Sequence, residues 1–233
     1  MSSDRPAAGE KAGFAYGVRA ALPLCVALVA FGASFGVLAR ANGFGVMAPI
    51  VMSLTTFTGA SQFATVSILG DGGGLGAAVV AAILLASRYL PIGLSVAPVL
   101  RGSRAARFGQ AQLVIDESWA VANRGDGTFD RGTLLGAGVV LYLSWQAGTV
   151  AGVFGGNFLG DPRDYGLDAA FPALFFVLLV SQLKSREGAV AALAGAGIAL
   201  LLVPFTRAGV PIVAASLACF AGWRSEEHTS ELQ

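Results

Sequence analysis

Charge is what this chain lacks. Asp, Glu, Lys and Arg make up 12% of its 233 residues against 55% hydrophobic, and mean hydropathy is +0.70. That balance excludes an ordinary soluble domain and indicates an integral membrane protein. Histidine occurs once, at His228, which leaves His-based zinc sites and Ser-His catalysis without parts. The two cysteines, Cys25 and Cys219, fall inside apolar runs, where a small thiol is ordinary packing and neither a disulfide nor a metal site is expected. No Gly-x-x-x-x-Gly-Lys-Ser/Thr loop occurs, so ATP hydrolysis through that fold is excluded, and no cofactor is expected.

What is present in abundance is uncharged apolar length. Charge-free windows run over 20–39, 41–70, 72–87 with 89–100, 132–160, 169–183, 188–206 and 208–223. Several reach the roughly 20 residues that a bilayer core requires. The shorter ones at 169–183 and 208–223 can be completed by tilt or by snorkelling of Lys184 and Arg207. The expected fold is therefore an all-α polytopic transmembrane bundle of about seven segments. The N-terminal segment 1–19 is polar and of mixed charge, unlike a secretory signal, so the first span is expected to stay. Residues 224–233 break from the Ala- and Gly-rich composition before them and equal one reading frame of a widely used sequencing adapter. They are set aside as appended sequence, leaving 20–223 as the membrane domain and an expected natural end near Trp223.

Small-residue faces occur at Gly32-x-x-x-Gly36 and Gly148-x-x-x-Gly152, each permitting close helix approach. Beyond each lies a glycine-led span whose distal part carries Ser-Gln, Gly45 to Ser61-Gln62 and Gly166 to Ser181-Gln182, at offsets of 116, 121 and 120 residues. The pattern fits a repeat of three spans, inverted if the linker does not cross the membrane; chance similarity in low-complexity apolar sequence is the alternative. Arg101, Arg104, Arg107, Arg124 and Arg131 cluster after the third span, and Lys184 and Arg186 follow the fifth. Both loops are expected on the cytoplasmic side. Strict counting then puts the N-terminus outside, whereas Arg5, Lys11 and Arg19 favour the inside, a conflict that a re-entrant early segment would remove.

The second window holds Thr56, Thr58, Ser61 and Gln62 around Gly59. A lipid-facing helix has no use for such a cluster, and a mid-membrane glycine lowers helix stability and frees backbone groups. This suits a broken helix whose half-helix N-terminus holds a carboxylate and whose freed carbonyls hold an ammonium group, a natural pairing for an amino acid. Interhelical hydrogen bonding alone is the rival explanation. Arg88 interrupts the apolar stretch from Leu75 to Leu100 and needs an acid or a substrate, with Asp116 and Glu117 the nearest candidates and Pro91, three residues on, expected to bend the span or end its first half. The acids have their own alternative reading, a solvated pair on an interfacial helix.

Taken in order, Phe35-Gly36-Val37-Leu38-Ala39, Met52-Ser53, Phe57 to Phe63, Arg88-Tyr89-Leu90, Leu94 to Pro98 and Asp116-Glu117-Ser118-Trp119-Ala120 make the chain resemble the AzlC family, the large permease subunit of bacterial branched-chain amino acid exporters. The likeness covers nearly the whole chain. Two departures are visible: Ala86 stands where the family often has asparagine, and Ile115 where it often has threonine. The resemblance implies a multi-pass protein of the bacterial inner membrane. It implies secondary-active efflux of leucine, isoleucine, valine and, as a further candidate, methionine, with a small AzlD-type membrane subunit and no nucleic acid. On this reading Thr58, Gly59, Ser61, Gln62 and Arg88 bind substrate, Asp116 or Glu117 takes a coupling proton, and Ser181 and Gln182 are their second-repeat counterparts. A passive channel, a structural membrane subunit and, remotely, an intramembrane enzyme are the alternatives; no catalytic residues are expected.

Overall fold

The computed structural model describes residues 13–159, 186–206 and 208–216, with isolated positions at 176, 179–180 and 183. Every regular element among them is helical, apart from a single bridge between Asn123 and Phe129. In chain order these are α1 (Phe14–Ala41), α2 (Met47–Thr55), α3 (Gly59–Gly70), α4 (Leu75–Ala86), α5 (Tyr89–Val96) running into a 3-10 turn (Ala97–Val99), α6 (Arg104–Ala111), α7 (Asp116–Ala122), α8 (Arg131–Leu159), α9 (Arg186–Leu202) and α10 (Val210–Ser216). Among the described residues α1 and α8 are each long and apolar enough to cross a membrane. A third candidate joins α4 to the run Tyr89–Val99 through a 43° bend. Pro91 explains that break: its ring would collide with the carbonyl of Ser87, so the helix stops there and restarts at Tyr89. Window 188–206 yields a 17-residue helix, α9; window 169–183 is described only at the isolated positions 176, 179–180 and 183, and window 208–223 only as far as residue 216.

The chain divides into two compact units. The first comprises residues up to Arg40, Gly45–Gly59 and Ser87–Leu159; the second comprises Ala41–Phe44, Ala60–Ala86 and the chain from Gly160.

In the first unit the backbones of α1 and α8 touch. A Cβ at Gly32 would sit 2.6 Å from the Trp145 carbonyl oxygen, and one at Gly36 would sit 2.5 Å from that of Thr149. Side chains at Gly148 and Gly152 would strike the Val29 and Ala33 carbonyls in return, while Gly17 and Gly136 lie against Thr133 and Phe14. The small-residue faces read from the sequence are thus one seam, with Cα–H groups facing carbonyls at close range. The outer sides carry Leu22, Val26, Leu143 and Phe154, all exposed, as lipid-facing positions should be. At the N-terminal end Asp130 caps α8. Its Oδ1 accepts from the Thr133 amide (2.8 Å), the Thr133 hydroxyl (2.7 Å) and the Gly13 amide (2.9 Å), so one carboxylate starts α8 and clamps the start of α1. Arg124 pairs with its other oxygen at 3.0 Å. Burial works to raise the Asp130 carboxyl, but the bonds from Thr133 and Gly13 outweigh it, and the net shift is downward.

In the second unit Ile68, Ala78 and Ala81 form the buried contact of α3 with α4. Gly209 lies against Ile68 and Ala77, α10 packs on α9 and α4, and an apolar groove of about 570 Å³ runs between α4 and α10. Gly70 has no room for a side chain because the Asn42 amide fills the space.

The window 41–70 forms two short helices with the break the sequence suggested, and the chain that leaves Asn42 returns to it at Gly70. One expectation changes. The inverted arrangement fails for the first helix of each half, since α1 and α8 run parallel, their starts together at Gly13 and Asp130 and their far parts together at Gly36 and Val153. Arg19 and Arg131 therefore lie toward the same end of the α1–α8 pair. Ser181, Gln182 and the rest of the proposed second repeat around them lie outside the described residues.

Candidate functional site

The break in the second window falls at Thr56, Phe57 and Thr58, between α2 and α3. Successive threonines restrict χ1 and disfavour helix, and the Thr55 hydroxyl bonds back to the Val51 carbonyl at 2.8 Å. A broken helix leaves carbonyls at the end of its first half without amide partners. Here three of them are taken by side chains of the first unit. The Ser53 carbonyl accepts from Gln146 Nε2 (2.9 Å), that of Leu54 from the Tyr142 hydroxyl (2.9 Å) and that of Thr55 from Gln112 Nε2 (2.9 Å). The Ser53 hydroxyl lies 3.0 Å from that of Thr149 and accepts from Trp145 Nε1 at 3.2 Å. Trp145 also stacks on Phe35, meets Phe57 at an angle, and fills the place a side chain at Gly59 would need, 2.8 Å from its ring. The carbonyl side of the break is closed within the chain.

The other side begins at Gly59. Helix geometry leaves the first-turn amides of Gly59, Ala60 and Ser61 without intrahelical acceptors, and their dipoles favour an anion. Beside them the Thr58 hydroxyl is buried and has no hydrogen-bond partner among the described residues, an expensive condition for a polar atom unless a ligand answers it. Ser61 and Gln62 follow in the second unit, both buried. The Ser61 hydroxyl donates to the Ala82 carbonyl at 2.9 Å, an interhelical bond from α3 to α4.

Arg88 meets Asp116 in the first unit, with Nη2 to Oδ2 at 3.0 Å and both side chains about one-third exposed. The guanidinium also donates to the Tyr89 hydroxyl at 3.2 Å and lies 5.1 Å from that ring's centre. α7 is set against α5 by a bond from Trp119 Nε1 to Ser95 Oγ at 2.8 Å, and its first turn is closed by Ser118, whose hydroxyl accepts from the Ile115 amide at 2.9 Å. Glu117 makes no ion pair among the described residues. Burial pushes its carboxyl upward; its own backbone amide opposes this, the neighbouring Asp116 adds to it, and Arg88 lowers it.

Of the residues named from sequence, Arg88, Asp116 and Glu117 are brought together, Thr58 and Gly59 form the turn into α3, and Ser61 and Gln62 sit in the second unit. Sequence reading missed Tyr142, Trp145, Gln146 and Thr149, although their i, i+3, i+4, i+7 spacing marks one polar and aromatic stripe on an apolar helix. Gln112 carried no such signal. Among the described residues no group of His, Cys, Asp or Glu could hold a metal ion.

Long apolar helices with exposed aliphatic flanks define a helical membrane protein. The family described as AzlC protein matches residues 23–159, and the chain belongs to that family. It is 33% identical over 224 residues to an uncharacterized membrane protein of Archaeoglobus fulgidus, covering 91% of this chain and 96% of that one. It is 28% identical to the inner membrane protein YgaZ of Escherichia coli (86% of each chain) and 24% identical to the branched-chain amino acid transport protein AzlC of Bacillus subtilis (77% and 71%). The family is one of transport proteins, not of enzymes. No solved structure matches the chain.

Proposed function

We propose that this chain is a secondary-active exporter of leucine, isoleucine and valine, with methionine a further candidate, in the inner membrane of a bacterium. The observation that carries the reading is the asymmetry of the break. The α2 carbonyls are occupied by the chain's own donors, whereas the start of α3 offers amides and the unpartnered Thr58 hydroxyl. A substrate carboxylate is the group that fits there. Thr58, Gly59, Ser61 and Gln62 are accordingly read as the substrate side. The Arg88–Asp116 pair supports reading Arg88 as internally neutralised, with the unpaired Glu117 as the coupling acid.

The relative named for branched-chain amino acid transport supports the substrate class. A small AzlD-type subunit as partner and a domain of about seven segments over 20–223 complete the proposal. Its test uses cells that lack other exporters, loaded with leucine dipeptide and expressing this chain with and without such a subunit. Leucine should leave against its gradient only when the chain is present. Efflux that follows the gradient but never opposes it would indicate a passive channel, and no difference from empty cells would end the proposal.

A further inference from the structure

One basic surface takes no part in that site. Between Arg101 and Ile115 the chain has no acidic residue. The nearest acids are committed elsewhere, Asp116 to Arg88 and Asp130 to Arg124, so among the described residues Arg101, Arg104 and Arg107 have no ion-pair partner. On α6, Arg104, Arg107 and Phe108 lie at i, i+3 and i+4 and share a face, and Phe108 is 76% exposed. The flank beside Arg107 is pinned by Gln110. Its Nε2 donates to the Arg101 carbonyl at 2.7 Å, while its Oε1 accepts from the Arg101 amide at 3.3 Å and from Arg131 Nε at 3.2 Å. One side chain thereby ties together the end of the candidate span closing at Val99 and the start of the span opening at Arg131. Both candidate spans end there, so α6 lies beside span ends, the level at which headgroups would meet it.

We infer that the α6 face is a docking surface for anionic phospholipid headgroups. Guanidinium groups take phosphate oxygens in pairs, and each basic residue at such a surface adds to the attraction. Phe108, costly in water, is accommodated at the boundary of headgroup and acyl chain, as in other interfacial amphipathic helices. The rigid seat made by Gln110 distinguishes this from a loose positive loop, because the arginines are presented together, without the ordering cost of a mobile segment.

The test is amide hydrogen exchange of the full chain in nanodiscs of phosphatidylcholine alone or with one-third phosphatidylglycerol. Amides of Arg104–Ala111 should exchange on the order of tenfold more slowly in the anionic discs. Half-molar salt should erase the difference, as should the joint change Arg104→Gln and Arg107→Gln, with α8 amides unchanged as the control for folding. Inorganic phosphate added to neutral discs should give no protection, which separates a lipid surface from a free anion. Equal exchange in the two lipids overturns the inference, and so does protection that survives both salt and the double substitution, which would instead indicate contact with protein or with acyl chains alone.

Discussion

α8 carries two adjacent stripes that hold the first unit by opposite means. Along one, Gly148 and Gly152 bring the α1 backbone so close that no side chain fits, and dispersion with weak Cα–H contacts supplies the attraction. Along the other, Tyr142, Trp145, Gln146 and Thr149 reach out to α2 and answer carbonyls or a hydroxyl that the helix break leaves open. The first stripe leaves nothing to rearrange. The second consists of hydrogen bonds that can be exchanged for others. A transporter needs both, a rigid wall and a segment that moves against it.

The seam should be the less forgiving. Gly148→Leu drives a side chain into the Val29 carbonyl and is expected to cost ~3 kcal/mol or more, seen as loss of a folded peak in detergent. Gln146→Leu leaves the seam intact and strips the Ser53 carbonyl of its donor. It should cost roughly 1–2 kcal/mol in melting yet impair leucine export disproportionately; equal damage to both would show the polar stripe to be only packing.

Asp130→Ala removes the clamp where the seam begins and should cost about 1 kcal/mol. Because the Asp130 carboxyl is held low in the folded protein, its contribution is complete above the ordinary carboxylate value and fades as pH falls through the lowered one. The substitution should flatten melting across that acidic window. Glu117→Gln should change stability least. A carboxyl raised by burial makes the folded state lose stability as pH rises from the ordinary value through the raised one, so the amide should remove that slope. Under the coupling proposal it should also remove the pH dependence of export.

Much of this was legible in sequence. The glycine spacing at 32, 36, 148 and 152 announced the seam, and Arg88 in an apolar run demanded an acid, which Asp116 supplies. The break was visible in Thr56 to Gly59 because both propensity and polarity depart from their surroundings there. Its consequence was not visible. That the segment returns to Asn42 depends on a contact 28 residues apart, and the parallel run of α1 and α8 on contacts more than 100 residues apart, such as Gly17 with Thr133. The partners of the α2 carbonyls were hidden for another reason: the spacing of Gln146 marks a stripe but not what it faces, Gln112 carries no pattern at all, and only the fold brings them to Ser53 and Thr55.

The most direct measurement is leucine binding to the purified full chain, assembled with the proposed AzlD-type subunit, for the native protein and Thr58→Val. The Thr58 hydroxyl has no partner among the described residues, so its loss should leave the melting temperature unchanged. If the start of α3 receives the substrate carboxylate, affinity should fall about five- to tenfold, the worth of one hydrogen bond. Unchanged affinity in a protein that melts as the native one does would contradict a binding site at the break.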